Sequence, residues 1–528
     1  MKAGILKYLP PSAQHETETV LRAHPGVREA AVVLWESEKP GKVKLVGYVV
    51  PDEDYIHCVL GGGDEERKRM QKWRKTFDLS QFGKQEQRPE PGFNIAGWNS
   101  SYTRQPIPAE HMREWVDLTV QELLSFRARE ILEIGCGTGL LLLHLARGCE
   151  RYVGVDFSAA GLKRIKEQMQ EMGGLWNGVS LLERSAENFD GFAENSFDTV
   201  ILNSVVKYFP SAAYLIGVLE EALRVVKPGG KIFIGDVRNL ALLEPYAVSI
   251  ELYQAQASMG LDEFRERVRR RVRFEEQLVI APAFFLALQK RFPKITRVEV
   301  HPKRGRFDNE MTRFRYNAIL HLQSERDKNI EPSFLDWAEQ RLSLDSIAGV
   351  LQNKRQESLA IKNVANARIE RDVEALAKLA ETESVRTIEE FRESLEKGEQ
   401  RGIDPEKMWA LGEELGYHVD ISWTASRPDG SYDVVFRKPA HNGELLWPDI
   451  AWPQTYIDLK EMTQYTNIPG RGVLREKLIE QLLEYSQQNL PKNLAPTHFF
   501  LIDALPLTAD GQVDVREFPT VLMQEDGA

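Results

Sequence analysis

Glu130-Ile131-Leu132-Glu133-Ile134-Gly135-Cys136-Gly137-Thr138-Gly139 is the stretch that decides the fold. A short apolar strand stops at a carboxylate and runs into a glycine-dense turn, and residues 140–145 open a helix. Strand, glycine turn and helix together present open backbone N–H groups at a helix N-terminus, which is how a nucleotide-like ligand is met. A side chain at the glycine positions would hold such a ligand away from the backbone. The spacing narrows the ligand. A dinucleotide fingerprint requires Gly at its first, third and sixth positions, whereas here Gly139 is fifth and the sixth is Leu140. That favours a smaller, non-phosphate adenosyl ligand over a pyrophosphate. Asp156 ends a second apolar run, Tyr152-Val153-Gly154-Val155, 21 residues after Gly135. A carboxylate there accepts hydrogen bonds from ribose hydroxyls.

The chain around this stretch has 528 residues, enough for roughly three domains. It is 42% hydrophobic and 28% charged, a globular and not a disordered balance. Its net charge of -11 argues against nucleic acid or an anionic membrane as partner. No apolar run approaches the ~20 residues that span a bilayer, and residues 1–7 lack the apolar core of a signal peptide. Three cysteines supply neither a disulfide framework nor metal-ligand spacing. A cytoplasmic location without a metal is the expectation, with Cys136 a small turn residue and not a reactive thiol.

The sequence E-x-G-x-G-x-G with an acid at the next strand end resembles S-adenosylmethionine-dependent methyltransferases of the Rossmann-like class I. The resemblance implies an α/β fold, a seven-stranded sheet with helices on both faces. It implies S-adenosylmethionine as cofactor, leaving as S-adenosylhomocysteine, held by Glu133, Gly135, Cys136, Gly137, Thr138, Gly139, Asp156, Phe157 and Ser158. Residues 179–183 form the third strand, and Ala186, Glu187 and Asn188 in the loop after it face the adenine edge. Residues 197–202 form the fourth strand, followed by Asn203, Ser204, Val205 and Tyr208 on the ligand side. Ligands of open α/β sheets lie beyond the carboxyl ends of the strands. Asn203 is thus expected near the transferable methyl, where its amide both donates and accepts. Residues 231–234 form the fifth strand, with Asp236 and Arg238 following it.

A second resemblance lies in Phe93-Asn94-Ile95-Ala96-Gly97-Trp98-Asn99-Ser100-Ser101-Tyr102 and in the run Asn309 to Tyr316, N-E-x-T-R-F-R-Y. Both are similar to the N-methyltransferase domains of nonribosomal peptide synthetases. A sulfonium near Trp98 or Tyr102 would gain cation–π attraction. Asn203, Tyr102, Asp236 and Glu310 are the candidates for orienting or deprotonating the acceptor. The loop 303–313 reads as a polar hairpin connection. The arginines at 265, 267, 269, 270, 271 and 273 read as a solvated helix face within a helical cover, 241–292, more than as a docking surface.

The two ends, "ETVLRAHPGVREAAVV…LVGYVVP" and "LPKNLAPTHFFLIDALPLTADGQVD", resemble the halves of the small C-terminal subdomain of adenylation domains. The gap between its two strand-like runs, with Pro40 and Gly41, reads as a hairpin loop. The domain expectation is a first half at 1–52, a methyltransferase core with helical cover at 65–330, an accessory α+β lobe and return linker at 331–470, and a second half at 471–528. Gln512 stands where that subdomain carries a lysine. A neutral amide cannot supply the cationic charge that adenylate oxygens prefer, so this chain alone is not expected to adenylate. What the resemblance implies is N-methylation of the α-amino group of an aminoacyl thioester. The substrate would arrive on the phosphopantetheine arm of a carrier domain, with an adenylation core as a further partner. Methylation at oxygen, carbon or a side chain, and an inactive scaffold, are the alternatives.

Overall fold

A computed structural model describes residues 5–36, 43–82, 90–323, 331–352, 357–381, 385–396, 401–439, 450–453, 462–508 and 510–518. The loop expected at Pro40 and Gly41 and much of the return linker lie outside these. The chain divides into two compact units. Unit 1 comprises Met1–Arg69, Arg273–Glu276 and Gly470–Ala528, and unit 2 comprises Met70–Val272 and Gln277–Pro469.

Unit 2 is built on a seven-stranded sheet. Its strands, numbered within this sheet, are β1 (Glu130–Ile134), β2 (Arg151–Asp156), β3 (Val179–Glu183), β4 (Phe197–Asn203), β5 (Val226–Arg238), β6 (Ile295–Pro302) and β7 (Arg315–Leu322). Their spatial order is β3-β2-β1-β4-β5-β7-β6. The first five run parallel, and β7 is antiparallel to both its neighbours. This is the expected seven-stranded Rossmann-like architecture. The order reverses at β1 and β4, so their carboxyl ends flank the switch point where a ligand sits. β1 and β4 are buried along nearly their whole length, as strands covered by helices on both faces must be.

Three differences from the sequence reading have local causes. β5 begins at Val226 and extends through Arg238, so Asp236 and Arg238 belong to the strand and do not follow it. Pairing with β7 continues to Arg238, across a bulge at which Asp236 takes a positive φ. The loop 303–313 contains a short helix, Glu310–Phe314, started by a capping box in which Asn309 accepts from the Met311 and Thr312 N–H groups. In the accessory lobe, where the apolar spacing of 334–351 reads as helical, Phe334–Asp336 is a strand, because it pairs with Ser358–Val364. That lobe is a four-stranded sheet with helices including Pro405–Leu415.

Unit 1 is a four-stranded sheet of Ile5–Tyr8, Val27–Glu36, Val43–Pro51 and His498–Leu501, in that spatial order. The last strand pairs in parallel with Val43–Pro51 across the long separation in sequence. The helices Pro11–Arg22 and Arg471–Asn489 bury Leu21, Leu478 and Leu482. Gln512 is exposed in a turn closed by Thr508 N–H donating to the Gln512 carbonyl.

Candidate active site

The glycine turn leaves β1 as the spacing requires. Gly135, Gly137 and Gly139 all have positive φ, at 74°, 56° and 85°. At Gly135 the need is steric as well, since a Cβ there would stand 2.6 Å from Val205 Cγ2. The turn is anchored through Asp156, whose carboxylate accepts from Gly137 N–H and Ser158 N–H, both at 2.8 Å. Burial pushes this carboxyl up, and the two N–H groups oppose the rise. Ser158 caps the following helix by accepting from Gly161 N–H at 3.0 Å. Thr138 donates to the Asn94 carbonyl at 3.1 Å, tying the turn to the loop that carries Trp98.

Glu133 is buried and accepts from the Tyr152 hydroxyl at 2.8 Å. Burial raises its carboxyl to about 7, and the phenol only partly offsets this. Cys136 is buried too, and burial pushes its thiol well up, as a packing residue and not a nucleophile would show. In the loop after β3, Glu187 accepts from the Tyr214 hydroxyl, Asn188 accepts from Asp190 N–H, and Ala186 packs against the core.

At the carboxyl end of β4 two observations stand out. Asn203 Oδ1 is buried without a hydrogen-bond partner among the described residues, and the side chain lies against Gly235, where a Cβ would meet Oδ1 at 2.1 Å. Ser204 and Asp236, at the ends of adjacent strands, both hold positive φ, 56° and 62°. Such conformations are costly for residues with a Cβ and collect at functional sites.

Asp236 is the centre of a buried charge cluster. Its carboxylate accepts from Arg315 Nη1 at 2.6 Å, Ser204 Oγ at 2.8 Å and Trp115 Nε1 at 3.3 Å. Lys207 Nζ lies 3.7 Å away and Lys303 Nζ 3.9 Å away. Burial alone would raise the Asp236 carboxyl, but Arg315, Lys207 and Lys303 together hold it well below the usual carboxylate range. Arg315 also reaches Glu310, which accepts from Ser101 N–H at 2.7 Å and Ser101 Oγ at 3.1 Å. The loop carrying Trp98 and Tyr102 is thereby strapped to the strand ends. Tyr102 shares a hydrogen bond with Ser249 at 2.9 Å and accepts from Arg313 Nη1 at 3.2 Å. Burial pushes its phenol up, so it keeps its proton near neutrality.

Trp98 packs on Trp115, ring centroids 4.9 Å apart. The ring expected to meet a sulfonium carries Lys207 Nζ at 5.2 Å from its centroid, and the same ammonium lies 5.3 Å from the Tyr208 centroid. Burial, then the Arg315 charge, draws Lys207 down to about 7 against the pull of Asp236. Sequence reading missed Lys207, Lys303 and Arg315, because lysine and arginine in a sequence read as solvent-facing. A cavity of about 570 Å³ lies elsewhere in unit 2, along β6, β7 and the helix Ala109–Ser125; Trp115 and Lys303 line it.

Residues 132–234 match a family model described as a methyltransferase domain. The chain is also similar over 96% of its length to chondramide synthase cmdD of Chondromyces crocatus, at 38% identity over 517 residues. This chain carries a methyltransferase domain, and nearly its whole length is similar to segments of much longer synthetases. A probable non-canonical nonribosomal peptide synthetase, CymA of Salinispora arenicola, is 32% identical over 504 residues and likewise covers 96% of the chain. The chain spans 13% and 6% of these two relatives' own lengths. Among solved structures, the N-methyltransferase NodS from Bradyrhizobium japonicum aligns with 41% of this chain and 98% of its own, at 16% identity and a TM-score of 0.27. The fold of the methyltransferase domain rests on its own sheet order and not on that likeness. Among the described residues no group of acids, histidines and cysteines is arranged to hold a metal ion, and no helix is long and apolar enough to cross a membrane.

Proposed function

We propose that the chain methylates the α-amino group of an aminoacyl thioester carried on the phosphopantetheine arm of a carrier domain, with S-adenosylmethionine as donor. The observation that carries this reading is the unpartnered, buried Asn203 Oδ1 at the carboxyl end of β4, beside the glycine turn. A buried acceptor without a donor costs about 1–3 kcal/mol, and an amine N–H arriving at this edge removes that cost. Accepting from the amine also turns its lone pair, leaving the direction of attack to be set by the site walls.

The residues present fit the donor. Gly135, Gly137 and Gly139 keep the turn free of side chains, and the Asp156 carboxylate suits ribose hydroxyls. When bound, S-adenosylmethionine supplies a methyl group already activated on a sulfonium. The chain's task is then alignment and exclusion of water. Asn203 orients the amine. Asp236, saturated by cations, is an anchor and not a base, and Tyr102 holds the entry loop. Glu310 and Lys207 remain as groups able to take the amine's proton.

The test presents amino acids loaded on a carrier domain together with the donor, and reads the product for a gain of one methyl group on the α-nitrogen. A methyl found on oxygen, carbon or a side chain moves the reading to that chemistry. No transfer and no donor binding by calorimetry would leave an inactive scaffold. Carrier and adenylation partners are part of the same proposal, supported by the kind of relative that matches.

A further inference from the structure

The helix Asp64–Phe82 is largely charged and has no part in the glycine motif. From Met70 onward it belongs to unit 2. Trp73, Arg74, Phe77 and Asp78 are spaced so that they share one helical face. Together they reach residues at or just past the carboxyl ends of β1, β2, β3 and β4. The Trp73 ring lies 4.8 Å from the Tyr208 ring, after β4. Arg74 donates to Glu183, the last residue of β3, at 3.2 Å. The Phe77 ring lies 6.0 Å, edge on, from Phe157, after β2. Phe77 Cζ also stands 3.7 Å from where a Cβ on Gly137 would be, after β1. Asp78 accepts from Ser158 Oγ at 2.5 Å.

One helix face thus runs across the carboxyl ends of β1, β2, β3 and β4, the line along which a ligand of this sheet lies. Trp73 and Phe77 are half-buried on a mostly polar helix. Neither ring belongs to the two buried clusters that flank the central sheet. Their described contacts are with the turn and its flanking aromatic residues. Asp78 brings a second carboxylate beside Asp156. A carboxylate has two oxygens and accepts several hydrogen bonds, so one already engaged by Ser158 still accepts from a ligand. Two carboxylates in one spot repel a phosphate and accept hydroxyl or ammonium hydrogens.

We propose that the face bearing Trp73, Phe77 and Asp78 is the roof of the adenosyl-donor site, with Phe77 closing the site beside the glycine turn and Asp78 accepting a hydrogen bond from the donor. This rests on the methyltransferase reading above and adds residues that the glycine motif does not contain. A roof in this position excludes phosphorylated nucleotides by charge and must lift for the spent donor to leave.

The test uses the full chain and S-adenosylhomocysteine as probe. Hydrogen exchange is followed by mass spectrometry with and without saturating probe, and affinity is measured by calorimetry for wild type, Phe77→Ala and Asp78→Asn. The expected result is slower exchange in 70–79 as well as in 135–139, and about tenfold or more loss of affinity in each variant, as for a lost charge-assisted hydrogen bond or a lost aromatic contact. Melting temperatures without probe should stay close to wild type. Should Phe77→Ala fail to fold, Phe77→Leu keeps the apolar volume and carries the same comparison. Protection confined to 135–139, with both variants binding as wild type does, would overturn the roof and leave the methyltransferase reading standing. Failure of the wild type to bind the probe at all would overturn that reading itself.

Discussion

Asp236 and its neighbours show how much a single buried residue controls here. Replacing Asp236 by Asn leaves Arg315, Lys207 and Lys303 facing one another without their common counter-charge. Breaking a buried pair in this way costs about 3–5 kcal/mol, so the urea midpoint of D236N should fall accordingly. Lys207 gives a pH signature. Its ammonium titrates at about 7 when folded and at 10.5 in the reference state. The unfolded chain therefore holds a proton that the folded one has released between those values, and stability rises with pH across that window. Lys207→Met should flatten the rise in a series of denaturant titrations. Glu133 acts oppositely and at lower pH. Its folded carboxyl titrates near 7 against 4.5 unfolded, so the folded chain binds the extra proton and stability falls as pH rises from 4.5 to 7. Glu133→Gln should gain melting temperature over wild type at pH 8 and lose that gain toward pH 4. At this scale the glycines, Asp156 and Asn203 were legible because backbone geometry and strand ends follow from local pattern. The cationic cluster was not, because Arg315, Lys303 and Lys207 come from three separate stretches and meet only when β4, β5, β7 and β6 pair.

The strands of the central sheet stand where periodicity put them, and the exceptions have tertiary causes. β1 to β4 end within a residue of the expected positions, since apolar runs bounded by glycine or polar residues mark buried strands. The short helix Glu310–Phe314 escaped detection, as five residues carry no period. Its cap is testable. Asn309→Ala removes acceptors for two N–H groups and should cost about 1 kcal/mol, while Asn309→Asp, which caps equally well, should stay near wild type in the same denaturation assay. The basic run on Leu261–Arg273 also resolves at this scale. Arg267 and Arg271 both bind the buried Glu251, and Arg265 pairs with Asp262 and the Leu379 carbonyl. Half of the six arginines thus pair within the helical cover, which departs from the solvated face expected.

For the whole molecule, each unit has its own buried cluster: Trp35, Tyr48, Val515 and Phe518 among others in unit 1, and the sheet core in unit 2. Two separately cored units should unfold in two calorimetric transitions. Saturation with S-adenosylhomocysteine at 100 times its dissociation constant should add about 2.7 kcal/mol to the unit 2 transition only. Hydrogen exchange read on peptides from each unit assigns the transitions.

The parallel pairing of His498–Leu501 with Val46–Val49 carries a consequence for biosynthesis. On the ribosome the first three strands of that small sheet emerge early, yet their fourth partner is translated only after the entire methyltransferase domain has left the exit tunnel. At about 5–20 residues per second the nascent sheet waits tens of seconds with one edge unpaired. The inserted seven-stranded sheet, whose own strands are complete by Leu322, has time to mature inside a host that is still half made.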